Sequence, residues 1–365
     1  MASKIRVFNT LFFYDILMSV KDMLIAIDKN NYNLIKKDNN EYVYIFDDNE
    51  SFENIVNRKM HCIHKDYIDY VDINTTDYDI ECFKKVKISE KNWNKIEKKD
   101  YKIGVIVPNF NYEHTLAKCL ESIVQQTYQN YEIIFVDDCS TDNSVEIAKL
   151  FQINYGKDKV KIIQLKQKRY NGGARNEAYL HLSEDVDYVY YVDSDDWLYD
   201  NKCLEKINNK LQGYPDVLFV GLAHYYKNKL DTCFIPNYKD KYEAMEGWSG
   251  SCGKVIKKGL ATRQECLYNE GTLKEDRNQH FKICINMNSF ALLKEPIYVW
   301  NRQNLKSVTT IRDEILWGTS TIRHYADTLQ LYLTYKNKDS KLNKILKTRV
   351  DKTKKEMLEG GDKQW

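Results

Sequence analysis

The chain has 365 residues, and its 55 Lys and Arg side chains nearly balance 53 Asp and Glu side chains. The net charge of +2 gives no support to nucleic-acid binding by the whole surface, although a local basic contact with nucleic acid stays open. No charge-free apolar stretch is long enough to span a bilayer, and the N-terminus lacks a signal-peptide pattern. Nine cysteines are scattered without CxxC pairs, which favours a reducing, cytoplasmic location over a disulfide framework or a zinc site.

Residues 1–99 form the first predicted unit, a small accessory α/β domain. Strand-like runs at 41–46 and 67–73 alternate with polar loops, and a basic, helix-like segment at 84–99 closes the unit. No residue pattern in this unit indicates a binding or catalytic site.

From Tyr101 onward, apolar strand patterns alternate with helical patterns at short spacing. Strands are predicted at 103–107, 131–136, 160–165 and 188–192. Helices are predicted at 113–126 and 200–211, and another begins near Ala174. A further helix ends at 150, and the Ser, Thr and Asp residues that follow 138 would cap its start. This alternation predicts a Rossmann-like parallel α/β sheet with right-handed crossovers.

Polar residues follow three of these strands. Residues 108–111 follow the first strand, Asp137 and Asp138 follow the second, and residues 193–196 follow the fourth. Ligands of such sheets bind outside the carboxyl ends of the strands. We therefore expect these residues to converge on one edge, which helix capping alone does not require.

The acidic sequence DSDD at 193–196 ends the aromatic and β-branched run YVYYV. Carboxylates at this spacing repel one another, so a compensating positive charge is expected. Mg²⁺ or Mn²⁺ would fit, because these ions prefer one or two carboxylates together with phosphate oxygens. The alternative is that Asp193, Ser194 and Asp195 only cap the following helix.

The pattern becomes looser after residue 211, where a mixed sheet is predicted. Strands are predicted at 216–223, 225–229 and 296–300, and a helix at 273–290. A segment rich in small residues lies at 247–259. From 311 the pattern is helical, and from 336 the excess of basic residues predicts a solvated, partly frayed helix. The alternative is a peripheral contact of this end with anionic lipid or nucleic acid.

Five short segments in a fixed order carry a resemblance to a known family. They are VIVPNFN at 105–111, VDDCSTD at 136–142, NGGARN at 171–176, VDSDD at 192–196 and KED at 274–276. Through them, residues 102–310 resemble a family 2 glycosyltransferase with the GT-A fold, which has a mixed, mostly parallel sheet. The predicted domains are the accessory region at 1–99, a GT-A domain at 100–310 and a helical C-terminal extension at 311–365.

The resemblance implies a hexosyltransferase that inverts the anomeric carbon. Its donor would be a nucleotide sugar, most often UDP-linked, and its metal Mn²⁺ or Mg²⁺. By resemblance, Pro108 and Asn109 belong to the loop that faces the nucleoside, and Asp138 hydrogen-bonds the uracil or ribose. Gly173 and Arg175 match the loop near the donor.

The same resemblance implies roles for the acidic motifs. Asp193, Ser194 and Asp195 match the DXD-type motif at the donor, in which Asp195, together with Asp193, binds the metal on the diphosphate. Asp196 is the neighbour that could take this role instead. Asp276 matches the acid that serves as general base.

Asp276 is chosen as the base over Glu275 because two neighbours on a helix point in different directions. The alternative for both is first-turn charge that complements the helix dipole. Two further segments resemble family positions, the first near the donor and acceptor sugars and the second at the closing segment, where a basic residue can reach the diphosphate. Their candidate residues are Trp248 and Lys254 in GWSGSCGKVIKK, and Trp300, Arg302 and Ser307 in VWNRQNLKSVTT. A buried core position is the alternative for Trp248.

Two other functions compete with sugar transfer to a hydroxyl acceptor, which could be a glycan, protein, lipid or nucleic acid. A sugar-phosphate nucleotidyltransferase would carry a loop rich in glycine and basic residues after the first strand, and PNFNYEHT is not such a loop. A catalytically inactive nucleotide-sugar-binding module would not need the acids at 138, 193, 195 and 276, and all four are present.

Overall fold

The structure is a computed structural model that describes residues 99–304 and 314–359 together with five strands from the first part of the chain. The strand predicted at 67–73 lies outside the described residues, as do Ser307 and all of the helix predicted at 84–99 except Lys99. Contacts divide the chain into a first unit, Met1–Lys99 with Gln212–Pro215, and a second, Asp100–Leu211 with Asp216–Trp365. The predicted domain boundaries stay predictions.

The described strands of the first unit form two small antiparallel sheets. One has the order β1-β4-β3, and the other pairs β2 with β5. The strands are Lys4–Val7 (β1), Leu24–Ala26 (β2), Asn33–Lys37 (β3), Glu41–Phe46 (β4) and His61–Ile63 (β5). The strand predicted at 41–46 is confirmed.

The second unit is built on one mixed sheet. Its strands are Ile103–Asn109 (β6), Tyr131–Asp137 (β7), Val160–Gln164 (β8), Tyr188–Tyr191 (β9), Trp197–Leu198 (β10), Val217–Tyr226 (β11), Lys229–Phe234 (β12), Lys254–Lys257 (β13) and Phe290–Asn301 (β14). The order is β10-β14-β11-β13-β9-β6-β7-β8, with β12 paired to β11. Among the described strands of this sheet, all except β10, β12 and β13 point the same way. The predicted mixed, mostly parallel α/β class is confirmed.

Helices cover the sheet. They are Glu113–Val124 (α1), Ser144–Tyr155 (α2), Tyr170–Tyr179 (α3), Cys203–Lys210 (α4), Lys241–Glu246 (α5), Lys258–Ala261 (α6), Glu275–Asn286 (α7), Glu314–Tyr335 (α8) and Ser340–Leu358 (α9). Every residue of β6 and β7 is buried, as expected for parallel strands with helices on both faces. This explains why these strands appear in the sequence as continuous apolar runs.

Two predicted elements differ from the structure. The strand predicted at 225–229 is in fact the end of β11 and the start of β12, which pair antiparallel, and Lys227 and Asn228 with positive φ form the turn between them. The helix predicted at 273–290 is shorter, since Phe290 begins the long strand β14 that pairs in parallel with β11. A short apolar run does not distinguish a buried strand from a buried helix by its periodicity.

The C-terminal helices pack onto the second unit. Leu342, Leu346 and Val350 of α9 are buried at four-residue spacing, and Leu331 and Tyr335 of α8 join the same core. The prediction of a solvated, partly frayed helix after 336 is therefore wrong. Basic residues occupy the other face of α9. Because they outnumber the apolar residues, the sequence-based prediction overlooked the apolar stripe.

Two properties of the described residues bear on the earlier expectations. Across the described parts of the chain, the helices are all too short or too polar to cross a bilayer. The seven described cysteines are all free thiols. Five of them are buried, Cys139 is partly buried and Cys233 is exposed.

Substitutions of leucine in α9 test its packing. Leu346→Ala should lower the free energy of unfolding by about 2–5 kcal/mol, because Leu346 is completely buried. Leu358→Ala is the matched control, since Leu358 is 72% exposed and its loss should change stability by about 0.5 kcal/mol or less. Urea unfolding followed by circular dichroism measures both. Equal, small effects would show that α9 does not pack on the core.

Candidate active site

The carboxyl ends of β6, β7 and β9 lie side by side, as the sequence predicted. The Ser194 hydroxyl donates a hydrogen bond to the Pro108 carbonyl at 2.7 Å, and the Asp138 amide donates to the Asn109 carbonyl at 2.8 Å. The Asn109 side chain donates to Asp137 at 3.0 Å. These hydrogen bonds join the three polar strand ends directly to one another.

Arg175 lies at the centre of the acidic residues. Its guanidinium is 1% exposed and contacts Asp193 at 2.7 Å, Glu275 at 2.8 Å and Asp276 at 3.3 Å. These contacts bring together helix α3, the end of β9 and the first turn of α7. Burial of a guanidinium is costly, and the carboxylates around it compensate the charge. Arg175 was predicted near the donor, and the structure shows it holding three acids.

Asp276 and Glu275 differ in exposure. The Asp276 side chain is 37% exposed, whereas that of Glu275 is 5% exposed. The Ser251 hydroxyl donates to Asp276 at 2.9 Å and bonds with the Tyr268 hydroxyl at 2.8 Å. Burial, and then the neighbouring Asp276 carboxylate, raise the pKa of Glu275. Both acids contact Arg175, so the expectation that Glu275 points elsewhere is wrong, and accessibility distinguishes the two.

The acids of the DSDD motif lie in three different environments. Asp193 pairs with Arg175 and is 30% exposed. Asp195 accepts a hydrogen bond from the Asn304 amide at 2.9 Å. Asp196 accepts from the Asn301 backbone amide at 2.7 Å and from the Tyr298 hydroxyl. Burial raises the pKa of Asp196 well above its usual range, so this acid belongs to the protein interior.

The two remaining acids of the motif suit a hard cation that is also bound by substrate. Among the residues that the structure describes, no group of three or more His, Cys, Asp or Glu side chains is placed to hold a metal ion. Asp193 and Asp195 therefore supply too few ligands for an all-protein cage. Mg²⁺ and Mn²⁺ commonly take one or two carboxylates and complete their coordination with phosphate oxygens and water. The donor set fits such an ion.

A cavity of about 540 Å³ lies next to the acidic cluster, and Asp138, Phe110, Lys168, Tyr170 and Glu275 line it. Asp138 accepts hydrogen bonds from the backbone amides of Arg169 at 2.6 Å and Tyr170 at 2.7 Å. Burial raises the pKa of Asp138. The volume is in the range of small-molecule sites.

The glycines of NGGARN allow helix α3 to pack closely. A Cβ on Gly172 would lie 2.5 Å from the Asn269 carbonyl oxygen, and one on Gly173 would lie 2.3 Å from the Arg169 Cβ. Gly173 was predicted as a donor contact, and in the structure it packs against Arg169. The absence of a side chain at both positions keeps Arg175 within reach of its acids.

Sequence reasoning missed several residues of the cavity. It singled out Asn109, which is 1% exposed and turned toward Asp137, whereas its neighbour Phe110 lines the cavity beneath the Lys168 ammonium group, 2.9 Å from the ring centroid. It also missed Leu316 and Trp317 of α8. The adjacent aromatic in VPNFN was a signal for Phe110, and no local signal marked the two residues of α8.

The segment at 247–259 contains two further residues that the sequence singled out, Lys254 and Trp248. The Lys254 ammonium group is buried and donates to the carbonyls of Ser249 and Gly250, both at 2.8 Å, and burial lowers its pKa to about 8. The Trp248 ring meets the Trp300 ring edge to face at 5.9 Å. Trp248 is half-buried, which leaves both interpretations of this residue open.

Comparisons with known proteins agree with this geometry. The family model Glycosyl transferase family 2 matches residues 104–295. The glycosyltransferase GlyA of Streptococcus pneumoniae is 31% identical over 224 residues, which are 55% of this chain and 30% of GlyA. The UDP-Glc:alpha-D-GlcNAc-diphosphoundecaprenol beta-1,3-glucosyltransferase WfgD of Escherichia coli is 26% identical over 146 residues, which are 40% of this chain and 55% of WfgD. The chain therefore spans about a third to a half of these relatives.

A solved structure shares the fold. The crystal structure of Staphylococcus aureus TarS 1–349 in complex with UDP-GlcNAc superposes with a TM-score of 0.55 at 20% identity, and the match covers 71% of this chain and 72% of TarS. The sheet is thus GT-A-like. Because the family model covers more than half of the sequence and its motifs meet in one cluster, this chain belongs to glycosyltransferase family 2.

Proposed function

We propose that this protein is an inverting glycosyltransferase that moves a sugar from a UDP-linked donor to a hydroxyl acceptor. The observation that carries the proposal is the cluster around Arg175, in which a partly exposed Asp276 lies beside the acid Asp193 of the DSDD motif. An acceptor base and a diphosphate site would then share one cleft.

Three observations support a UDP-sugar as donor. WfgD is named for a UDP-glucose donor, and TarS was crystallised with UDP-GlcNAc. The cavity beside Asp138 offers aromatic rings from Phe110 and Tyr170 and a cation from Lys168. Aromatic faces suit a nucleobase, and a cation suits its phosphates.

Asp276 would act as the general base. Its carboxylate would take the proton of the acceptor hydroxyl while that oxygen forms a bond to the anomeric carbon. The bond from this carbon to the diphosphate oxygen breaks, and the nucleoside diphosphate leaves with the electron pair. Attack on the face opposite to the leaving group inverts the configuration. Arg175 and Ser251 hold Asp276 in place for this step.

Asp195, with Asp193, would hold Mn²⁺ or Mg²⁺. When bound, such an ion supplies stabilisation of the negative charge that builds on the diphosphate. Asp193 is already partly neutralised by Arg175, which limits its repulsion of the donor phosphates.

A glycan is our proposed acceptor, and a reducing cytoplasm our proposed location. WfgD is named for a sugar-containing acceptor, which supports the first proposal. The free thiols of the seven described cysteines support the second. A nucleotidyltransferase or an inactive module finds no comparable support.

Metal binding should depend on the nucleotide. Because Asp193 and Asp195 supply only part of a ligand set, Mn²⁺ should bind about tenfold or more tightly when UDP is present. Isothermal titration with and without UDP measures this coupling, and EDTA should stop slow release of UDP from UDP-sugars. A Mn²⁺ affinity that does not change with UDP would contradict the proposed metal site.

Asparagine variants should separate the roles of Asp195 and Asp196. Asp195→Asn should lose Mn²⁺-dependent UDP binding, because it removes a metal ligand. Asp196→Asn should keep that dependence but lower the free energy of unfolding by about 1–3 kcal/mol, because the new amide opposes a donor from Tyr298 or Asn301. Titration calorimetry and thermal unfolding measure both, and the opposite pattern would move the metal to Asp196.

Asp276→Asn should keep donor binding and lose turnover. Removing a general base slows proton transfer by roughly 10²- to 10⁴-fold, while the UDP affinity should stay within about threefold of the wild-type value. Steady-state rates with a transferred sugar, compared with UDP titration, give the two quantities. Asp231→Asn, on the exposed strand β12, is the control and should leave both unchanged. A full rate in Asp276→Asn would exclude this residue as the base.

A further inference from the structure

Helix α8 lies outside the segment that the family model matches, yet it contacts the loop that leads to Asp276. The Arg323 guanidinium donates to the Glu270 carbonyl at 3.2 Å and to the Gly271 carbonyl at 2.8 Å. The Ser320 hydroxyl accepts from the Leu273 amide at 3.2 Å. These bonds fix the start of α8 relative to the loop at 270–273.

Buried contacts hold α8 and α9 against helix α7 as well. Thr328 of α8 donates to the Asn278 side chain at 3.1 Å, and the Asn278 amide lies 3.3 Å from the ring nitrogen of His324. Glu356 of α9 lies 3.6 Å from the Lys274 ammonium group and 3.8 Å from the Arg277 guanidinium. The position of α8 is therefore set by the helix that carries the proposed base.

The first turn of α8 reaches the cavity beside Asp138. Leu316 and Trp317 line this cavity together with Asp138, Phe110 and Lys168. Trp317 is half-buried, and the Lys274 ammonium group lies 5.7 Å from its ring centroid.

The cavity lies at the end of the site that we propose for the nucleotide. Its lining includes Asp138 and Phe110, and Glu275 is its one contribution from the Arg175 cluster, since Asp193 and Asp276 do not line it. A planar ring here would meet the nucleoside before it could meet the transferred sugar.

We propose that Trp317 contacts the nucleobase of the donor, so that helix α8 supplies a binding residue from outside the family segment. The inference rests on the proposed function. A nucleobase presents a flat π-face, and its contact with an aromatic side chain removes apolar surface of both from water. Arg323 and Ser320 act as positioning residues, because they hold the turn that carries Trp317.

UDP and pyrophosphate are the two probes that test this proposal. In the full chain with Mn²⁺, Trp317→Ala should weaken UDP binding by about tenfold, because base stacking on an aromatic ring is lost. Pyrophosphate lacks the base, so its affinity should not change. Trp317→Phe keeps an aromatic ring and should bind UDP within about threefold of the wild type. Ile315→Ala is the matched control in the same turn, since Ile315 is 81% exposed.

The outcomes separate this inference from the proposed function. If the wild type binds no UDP, the proposed function fails, and this inference fails with it. If the wild type binds UDP and Trp317→Ala binds it equally well, only this inference fails. Equal losses for UDP and pyrophosphate would show that Trp317 merely supports the fold. Should Trp317→Ala unfold, tryptophan fluorescence decides, because UDP should quench it less in Trp317→Phe than in the wild type, and equal quenching would overturn the inference.

Discussion

The candidate site depends on one buried cation. The Arg175 guanidinium contacts Asp193, Glu275 and Asp276, so it joins its own helix to two other segments of the chain. Without this cation the carboxylates would repel one another, and a buried acid left unpaired costs about 3–5 kcal/mol. With it, Asp193 and Asp276 both stay partly exposed beside one guanidinium. The same interaction stabilises the fold and brings together the acids of the proposed active site.

Neighbouring acids acquire different roles because their surroundings differ. Asp196 and Glu275 are buried, and burial raises the pKa of each, whereas Asp193 and Asp276 retain contact with solvent. A carboxylate must be accessible to take a proton, so exposure distinguishes Asp276 from its neighbour Glu275. The contact of Asp196 with Tyr298 ties the DSDD motif to strand β14. The buried acids Asp196 and Glu275 therefore help to fix the DSDD motif and the Arg175 cluster.

The C-terminal helices are part of this arrangement. The apolar stripe of α9 packs on the core, and Arg323 of α8 holds the loop before Asp276. The family segment at 104–295 stops before both helices. The family motifs alone thus leave out elements that shape the cavity and position the loop.

The sequence by itself determined the strands with continuous apolar runs, the polar residues that end them, and the five motifs. These features are local, because burial on both faces and the end of a strand leave their mark within a few residues. Only the tertiary structure decided which side chains meet. Arg175 is 18 positions from Asp193 and about a hundred from Glu275 and Asp276, and Asn109 turns inward while Phe110 faces the cavity. Such pairings arise from the packing of separate elements, and no periodicity in one segment encodes them.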